Sequence, residues 1–306
     1  MDNLTHSLIG AVLGQAGLKR KSGLAMPALI LAANLPDIDA PCALYGVESL
    51  AMRRGLSHGP IALVLLPLLL TGILVWFDRW QARRGTRPAE RADVRPGWLL
   101  ALCYIGALTH PAFDWLNNYG IRLLEPFSHR WFYGDALFIV DPWILAMLGG
   151  GVWLSLRRER AGRDRWTQPA RAAMVGVLAF VALNIGISRA ASDVVMGDGP
   201  YPQVAVANAV PFAFWRRDVL WRGADGTFGT IPCSLLRCRR YPLTVRRSGM
   251  DDPRIAQRAA HSPAARDFLF WSRLPVAESA GDTIVLHDQR FMGLAARGPF
   301  TVELKP

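Results

Sequence analysis

From Gly59 to Phe77 the chain runs GPIALVLLPLLLTGILVWF without a single charge. A helix of that length crosses the roughly 30 Å hydrocarbon core of a bilayer. Pro67 lies inside the run, and a membrane helix tolerates it. Further apolar stretches follow at Trp98–Leu108, Ala136–Leu156 (broken only by Asp141) and Ala172–Ser188. Two shorter ones, Leu4–Leu18 and Gly23–Leu35, flank Lys19-Arg20-Lys21 and read as a helical hairpin in or against the membrane. Gly10 and Gly14, four apart, allow close helix packing there. With 51% hydrophobic residues, the chain of 306 is more apolar than an ordinary soluble domain. The opening MDNLTH lacks the basic start and cleavage site of an export signal.

Charge placement gives an expected orientation. The net charge is +11, and its basic residues gather beside apolar segments, in 19–21, 78–96 and 157–171. By the positive-inside rule these three stretches face the cytoplasm. Segments 36–58 and 111–135 hold only Arg53, Arg54, Arg122 and Arg130, and should face outward. Arg122 and Arg130 could pair with an anionic substrate, but read first as snorkelling or lipid-headgroup contacts. A basic chain could bind nucleic acid, but arginines arranged as topology signals, with no patch of stacking aromatics, argue against that partner. The bilayer is the expected one.

After Ser188 the pattern changes. Short alternating runs such as PFAFWRRDVLWR, TFGTI, YPLTVR, DTIVLHD and FTVEL are separated by Gly and Pro, which reads as β-rich. ARDFLFWSRL in their midst reads as a short helix or edge segment. The expected fold is mainly α: a multi-span helical membrane bundle over 1–188, then a β-rich extramembrane domain over 189–306 on the outer side. Cys42, Cys103, Cys233 and Cys238 show no CxxC spacing, so a zinc ribbon is not expected. Cys233 and Cys238 are close enough to pair in an oxidising compartment.

Six residues stand out against this topology: His6, Asp37, Asp39, His58, His110 and Asp114. Each falls at the outer end of its segment, and imidazole and carboxylate are the donors that hold zinc or manganese. His110 and Asp114 form HxxxD, which puts both on one helix face if the helix continues. Pro111 would instead start or kink a helix. Asp37 and Asp39 in LPDID follow an apolar segment; Asp39 could equally cap the next element. His6 and His58 taken alone could be surface or interfacial histidines. One aspartate of the pair would bind metal while the other orients a histidine or takes a proton. His129, Asp135 and Asp141 are additional candidates, Asp141 equally as a helix cap before Pro142. His261 and His287 read as structural. GxSxG, P-loop and GxGxxG patterns are lacking.

MDNLTHSLIG, NLPDID, RRGLSHG, HPAFDWLNNYG and VDPW resemble the YdjM-type inner-membrane proteins, described as membrane-bound metal-dependent hydrolases. The resemblance covers about residues 1–150, and FLFWSRLP and IVLHDQRF look like the C-terminal part of longer members. It implies an inner-membrane, multi-pass bacterial protein with its site and C-terminal domain on the periplasmic side. The spacing is also similar to the zinc-dependent phospholipase C and P1 nuclease group. That similarity implies His6, Asp37, His58, His110 and Asp114 as ligands, with Asp114 able to bridge two metals. An HxxxE after Asp114 is missing, so one or two ions are implied rather than three. The function implied is hydrolysis of a lipid-like phosphodiester or ester by metal-activated water, with Asp37 or Asp39 as base. The alternative is a non-catalytic scaffold held together by metal.

Overall fold

The computed structural model describes residues 1–197, 202–235, 237–239, 244–292, 298 and 300–306. The chain divides into two compact units. One comprises Met1–Ile38 and Arg54–Leu183; the other comprises Asp39–Arg53 and Asn184–Pro306.

The first unit is helical. Its elements are α1 (Asn3–Gln15), α2 (Ala25–Asn34), α4 (Pro60–Arg83), α5 (Pro96–Trp115), α6 (Pro142–Arg160) and the start of α7 (Gln168–Gly197). The short α3 (Ser49–Met52) belongs to the second unit. Local chemistry sets the helix starts. Asp2 caps α1, accepting from the Thr5 amide at 3.0 Å and its hydroxyl at 2.6 Å. Prolines begin α4, α5 and α6, where a missing N–H costs nothing.

α2 is the centre of this unit. Ala28, Leu29, Ala32 and Ala33 are fully buried, and Leu99, Leu102, Cys103 and Ala107 of α5 pack around them. Glycines bring the helices close. A Cβ on Gly106 would lie 2.8 Å from the Ala32 Cβ, and one on Gly10 would lie 2.6 Å from the Leu29 carbonyl oxygen. The Gly14 position faces the flexible end of Met26 instead. In lipid, such backbone proximity replaces the hydrophobic effect as the main source of helix association.

Among the described residues, α4 and α7 are long and apolar enough to cross a membrane. Only 17% of the most apolar stretch of α4 is buried, which separates it from the core helix of a soluble protein. Its exposed face carries Ile61, Leu65, Leu69, Ile73 and Trp76, an apolar patch that water would penalise. The multi-span expectation is supported for these two helices only. At 1.5 Å per residue, α1 and α2 are about 20 and 15 Å long, too short to span. α6 starts at Pro142, so residues 136–141 of the apolar stretch are not helical.

The three basic segments are joined to one another. Lys19 pairs with Glu159. The Arg95 amide donates to Ser22 Oγ at 2.9 Å, and the Gly23 amide donates to the Asp93 carbonyl at 2.9 Å. Lys19 and Lys21 also lie over the rings of Trp166 and Trp98. The hairpin turn thus touches both basic loops, so all three occupy one end of the unit.

In the second unit, β1 (Pro202–Ala209), β2 (Arg216–Gly223), β3 (Thr227–Ser234) and β4 (Arg237–Cys238) form an antiparallel sheet in that order, with β5 (Val245–Arg247) also on β3. β6 (Pro275–Ala280), β7 (Thr283–Asp288) and β8 (Thr301–Leu304) form a second antiparallel sheet. Between them in sequence come α8 (Pro253–Ala260) and α9 (Pro263–Trp271), the latter where ARDFLFWSRL suggested a helix. Cys233 and Cys238 face each other across β3–β4 and are disulfide-bonded. The buried Arg217 of β2 donates to Asn184 Oδ1 and Ser188 Oγ of α7, both at 2.7 Å. Asp288 and Arg290 form a fully buried ion pair. Burial pushes the Asp288 carboxyl up, but the Arg290 charge and its hydrogen bonds outweigh that and hold it below the usual range.

Candidate metal centre

Four donors converge inside the helical unit. Asp37 lies just past α2, in the 3₁₀ segment Leu35–Glu48. His58 closes the 3₁₀ turn Leu56–His58 ahead of α4. His110 and Asp114 are one turn apart on α5, because this helix continues through Pro111 to Trp115. Proline there deprives one carbonyl of its partner without ending the helix, as membrane helices tolerate. Gly59 fixes the His58 turn against a neighbouring loop: a Cβ there would meet the Glu125 carbonyl oxygen at 2.0 Å. Only glycine fits such an approach.

One ligand atom from each of Asp37, His58, His110 and Asp114 lies within 4.8 Å of all the others, and all four residues are buried. The Nε2 atoms of His58 and His110 are each 3.6 Å from Asp114 Oδ2. His110 Nε2 is 3.7 Å from Asp37 Oδ1. These separations exceed a hydrogen bond. They are close to the roughly 3.4 Å between neighbouring ligands of a tetrahedral ion with bonds near 2.0–2.1 Å.

The imidazoles are prepared for this role. His110 Nδ1 is 2.7 Å from the Ala33 carbonyl oxygen, so Nδ1 carries the proton and donates. That leaves a lone pair on Nε2, which is buried and makes no hydrogen bond. His6 stacks on His110 with ring centroids 3.8 Å apart, and its Nε2 is 3.4 Å from Asp114 Oδ1. Both histidines lie outside α4 and α7. Burial pushes the His6 imidazole well below the ordinary range, with the neighbouring His110 adding to it. Burial likewise takes His110 down to about 3, against the opposing Ala33 hydrogen bond. Both are neutral at pH 7, the form that ligates metal.

Asp114 is also held by cations. Arg54 Nε is 2.9 Å from Oδ2, and Arg54 Nη2 donates to Oδ1 at 3.2 Å. Arg54 Nη1 donates to Asn117 Oδ1 at 2.9 Å, and the guanidinium lies 4.7 Å over the Tyr119 ring. The Met1 amino group contacts Asp114 Oδ1. Arg54 has a φ of 55° and is 3% exposed; this strained backbone is sustained by the contacts of its side chain.

The other sequence candidates are placed differently. His6 stands beside the four-residue group rather than within it. Asp39 is grouped with the second unit, its Oδ1 4.0 Å from Arg53 Nε. His129 is largely exposed, with Nδ1 2.9 Å from Glu125 Oε2. Asp135 occupies a left-handed turn with φ 50°. Asp141 caps α6, accepting from the amides of Trp143 at 3.0 Å and Ile144 at 3.1 Å. Arg122, read as a headgroup contact, is instead buried: Nη1 donates to Glu125 Oε2 at 3.2 Å, and the guanidinium lies over Trp131. Arg54, Asn117 and Glu125 had not been singled out. The signal for Arg54 was Arg53-Arg54-Gly55 beside the candidate ligand His58, in a segment whose only arginines or lysines are that pair.

The model of the YdjM inner membrane protein family matches residues 1–192, a stretch that includes every residue of this group. No curated protein and no solved structure matches the chain.

Asp114→Asn leaves Arg54 buried opposite a neutral amide. The expected loss is roughly 3 kcal/mol or more, read as a lower unfolding midpoint in detergent. Glu159→Gln, at the partly exposed Lys19 pair, should cost under about 1 kcal/mol. Equal losses would contradict the placement of Arg54.

Proposed function

This chain belongs to the YdjM inner membrane protein family, and from that membership and the buried donor group we propose that it is a membrane-bound, metal-dependent hydrolase. The observation that carries the reading is the convergence of Asp37, His58, His110 and Asp114 from three separate segments onto one buried point. Two imidazoles and two carboxylates suit zinc, and manganese accepts the same donors. A divalent cation held there would supply Lewis-acid polarisation and a lowered pKa for water.

The chain's own residues have distinct parts in this reading. His58 and His110 hold the cation as neutral donors, and Ala33 fixes the His110 ring. Asp114 supplies a carboxylate anchored by Arg54. Of the two aspartates put forward as base, Asp37 has an oxygen in the group and is the one favoured to take a proton from attacking water. The substrate class favoured is a lipid-like phosphodiester or ester. The likeness to the zinc-dependent phospholipase C and P1 nuclease group enters here as an analogy in ligand order. The joining of the three basic segments at one end supports a cytoplasmic placement for that end and a periplasmic one for the site. Alkaline phosphatase fused after Pro88 should be inactive and fused after Ser128 active; the reverse pattern would overturn this orientation.

Complete burial of His58, His110 and Asp114 favours a second reading, a closed metal site that only braces the helices. Turnover separates the two. The zinc-loaded protein should hydrolyse bis(p-nitrophenyl) phosphate, and chelation should abolish this. Asp37→Asn should lower the rate at least about a hundredfold. Bound metal that raises the unfolding midpoint without turnover of this or an ester substrate would favour the scaffold.

A further inference from the structure

Asp114 is the residue that the ligand-order analogy casts as a bridge between two metals. The surroundings of its carboxylate point elsewhere. Arg54 meets both oxygens, with Nε 2.9 Å from Oδ2 and Nη2 3.2 Å from Oδ1. The Nη2 contact is a hydrogen bond to Oδ1, and the Nε contact is a close ion pair, while Oδ2 itself accepts no hydrogen bond. The grip is itself fixed, since Arg54 Nη1 donates to Asn117, and the guanidinium stacks over Tyr119. A carboxylate bridging two ions needs a lone pair from each oxygen directed to a different ion. Here Oδ2, which accepts no hydrogen bond, faces His58 and His110, whereas Oδ1 is already taken by the Arg54 hydrogen bond and the Met1 amino group.

We propose that Arg54 is a built-in second cation, which makes this a one-ion site and holds Asp114 in position for that ion. The inference rests on the metal reading above and deepens it by fixing the stoichiometry. Formal charge agrees. Asp37 and Asp114 contribute two negative charges, and Arg54 cancels one of them before any contribution from the Met1 amino group. One divalent ion then brings the site to a net positive charge, and a second would be placed against both the first ion and a guanidinium. A net positive site favours an anionic group in the substrate, a phosphodiester over a neutral ester.

The test is metal stoichiometry in the full-length, detergent-purified protein, stripped with chelator and titrated with zinc, with bound zinc counted after free ions are removed. The wild type should bind one equivalent. Arg54→Lys keeps the charge and should also bind one. Arg54→Gln, which removes the charge, should admit a second equivalent. Arg54→Asn repeats the neutral change with a side chain suited to a positive φ, in case the glutamine variant does not fold. Two tightly bound ions in the wild type would overturn the proposal, as would a folded neutral variant that still binds one. A wild type that binds none would overturn it together with the metal reading. One bound ion without any hydrolysis would leave it standing and sink only the hydrolase reading.

Discussion

The organisation of the helical unit depends on one buried carboxylate. Asp114 is within 3.6 Å of three imidazoles and gripped by Arg54. Burying an ionised group without compensation would cost several kcal/mol. The structure compensates with a guanidinium that is itself anchored to Asn117 and Tyr119. The groups around Asp114 arrive from α1, from the His58 turn with the preceding Arg54, and from α5 itself, so satisfying it fixes these elements relative to one another. Asp37 extends the same demand to the end of α2.

Glycine and alanine make this convergence feasible. α2 is fully buried along Ala28, Leu29, Ala32 and Ala33, and Gly10 and Gly106 let α1 and α5 approach its backbone closely. That places the Ala33 carbonyl where His110 Nδ1 can donate to it. A packing interface thereby determines the tautomer of a candidate ligand histidine. The opposite end of the unit is built from different chemistry: basic side chains over tryptophans, and Lys19 on Glu159. Donors at one end and basic residues at the other are the pattern that membrane topology would produce.

Much of this was legible in the sequence. The long apolar run of α4, the hairpin α1–α2, the change to strands after α7 and the Cys233–Cys238 pair all followed from pattern and spacing. So did the four donors, because histidine and aspartate recur at one end of successive segments. Other features were not legible. Asp37 and Asp39 looked like a pair, but on a 3₁₀ turn residues two apart point roughly 240° apart, and Asp39 pairs with Arg53 instead. Arg54 and Arg122 were counted as loop charges, since sequence does not show which arginine is buried. The apolar stretch Trp98–Leu108 is shorter than α5, and Pro111 reads as starting or kinking a helix, yet α5 runs through it to Trp115. His110 and Asp114, on either side of Pro111, share one face because of this continuation, which tertiary packing supplies.

X-ray absorption at the zinc edge on the purified, zinc-loaded protein tests the central claim most directly. The account predicts a shell of nitrogen and oxygen at about 2.0–2.1 Å, with the multiple scattering of two imidazoles. A sulfur shell near about 2.3 Å, drawn from Cys42 or Cys103, or an oxygen-only shell without imidazole, would contradict it.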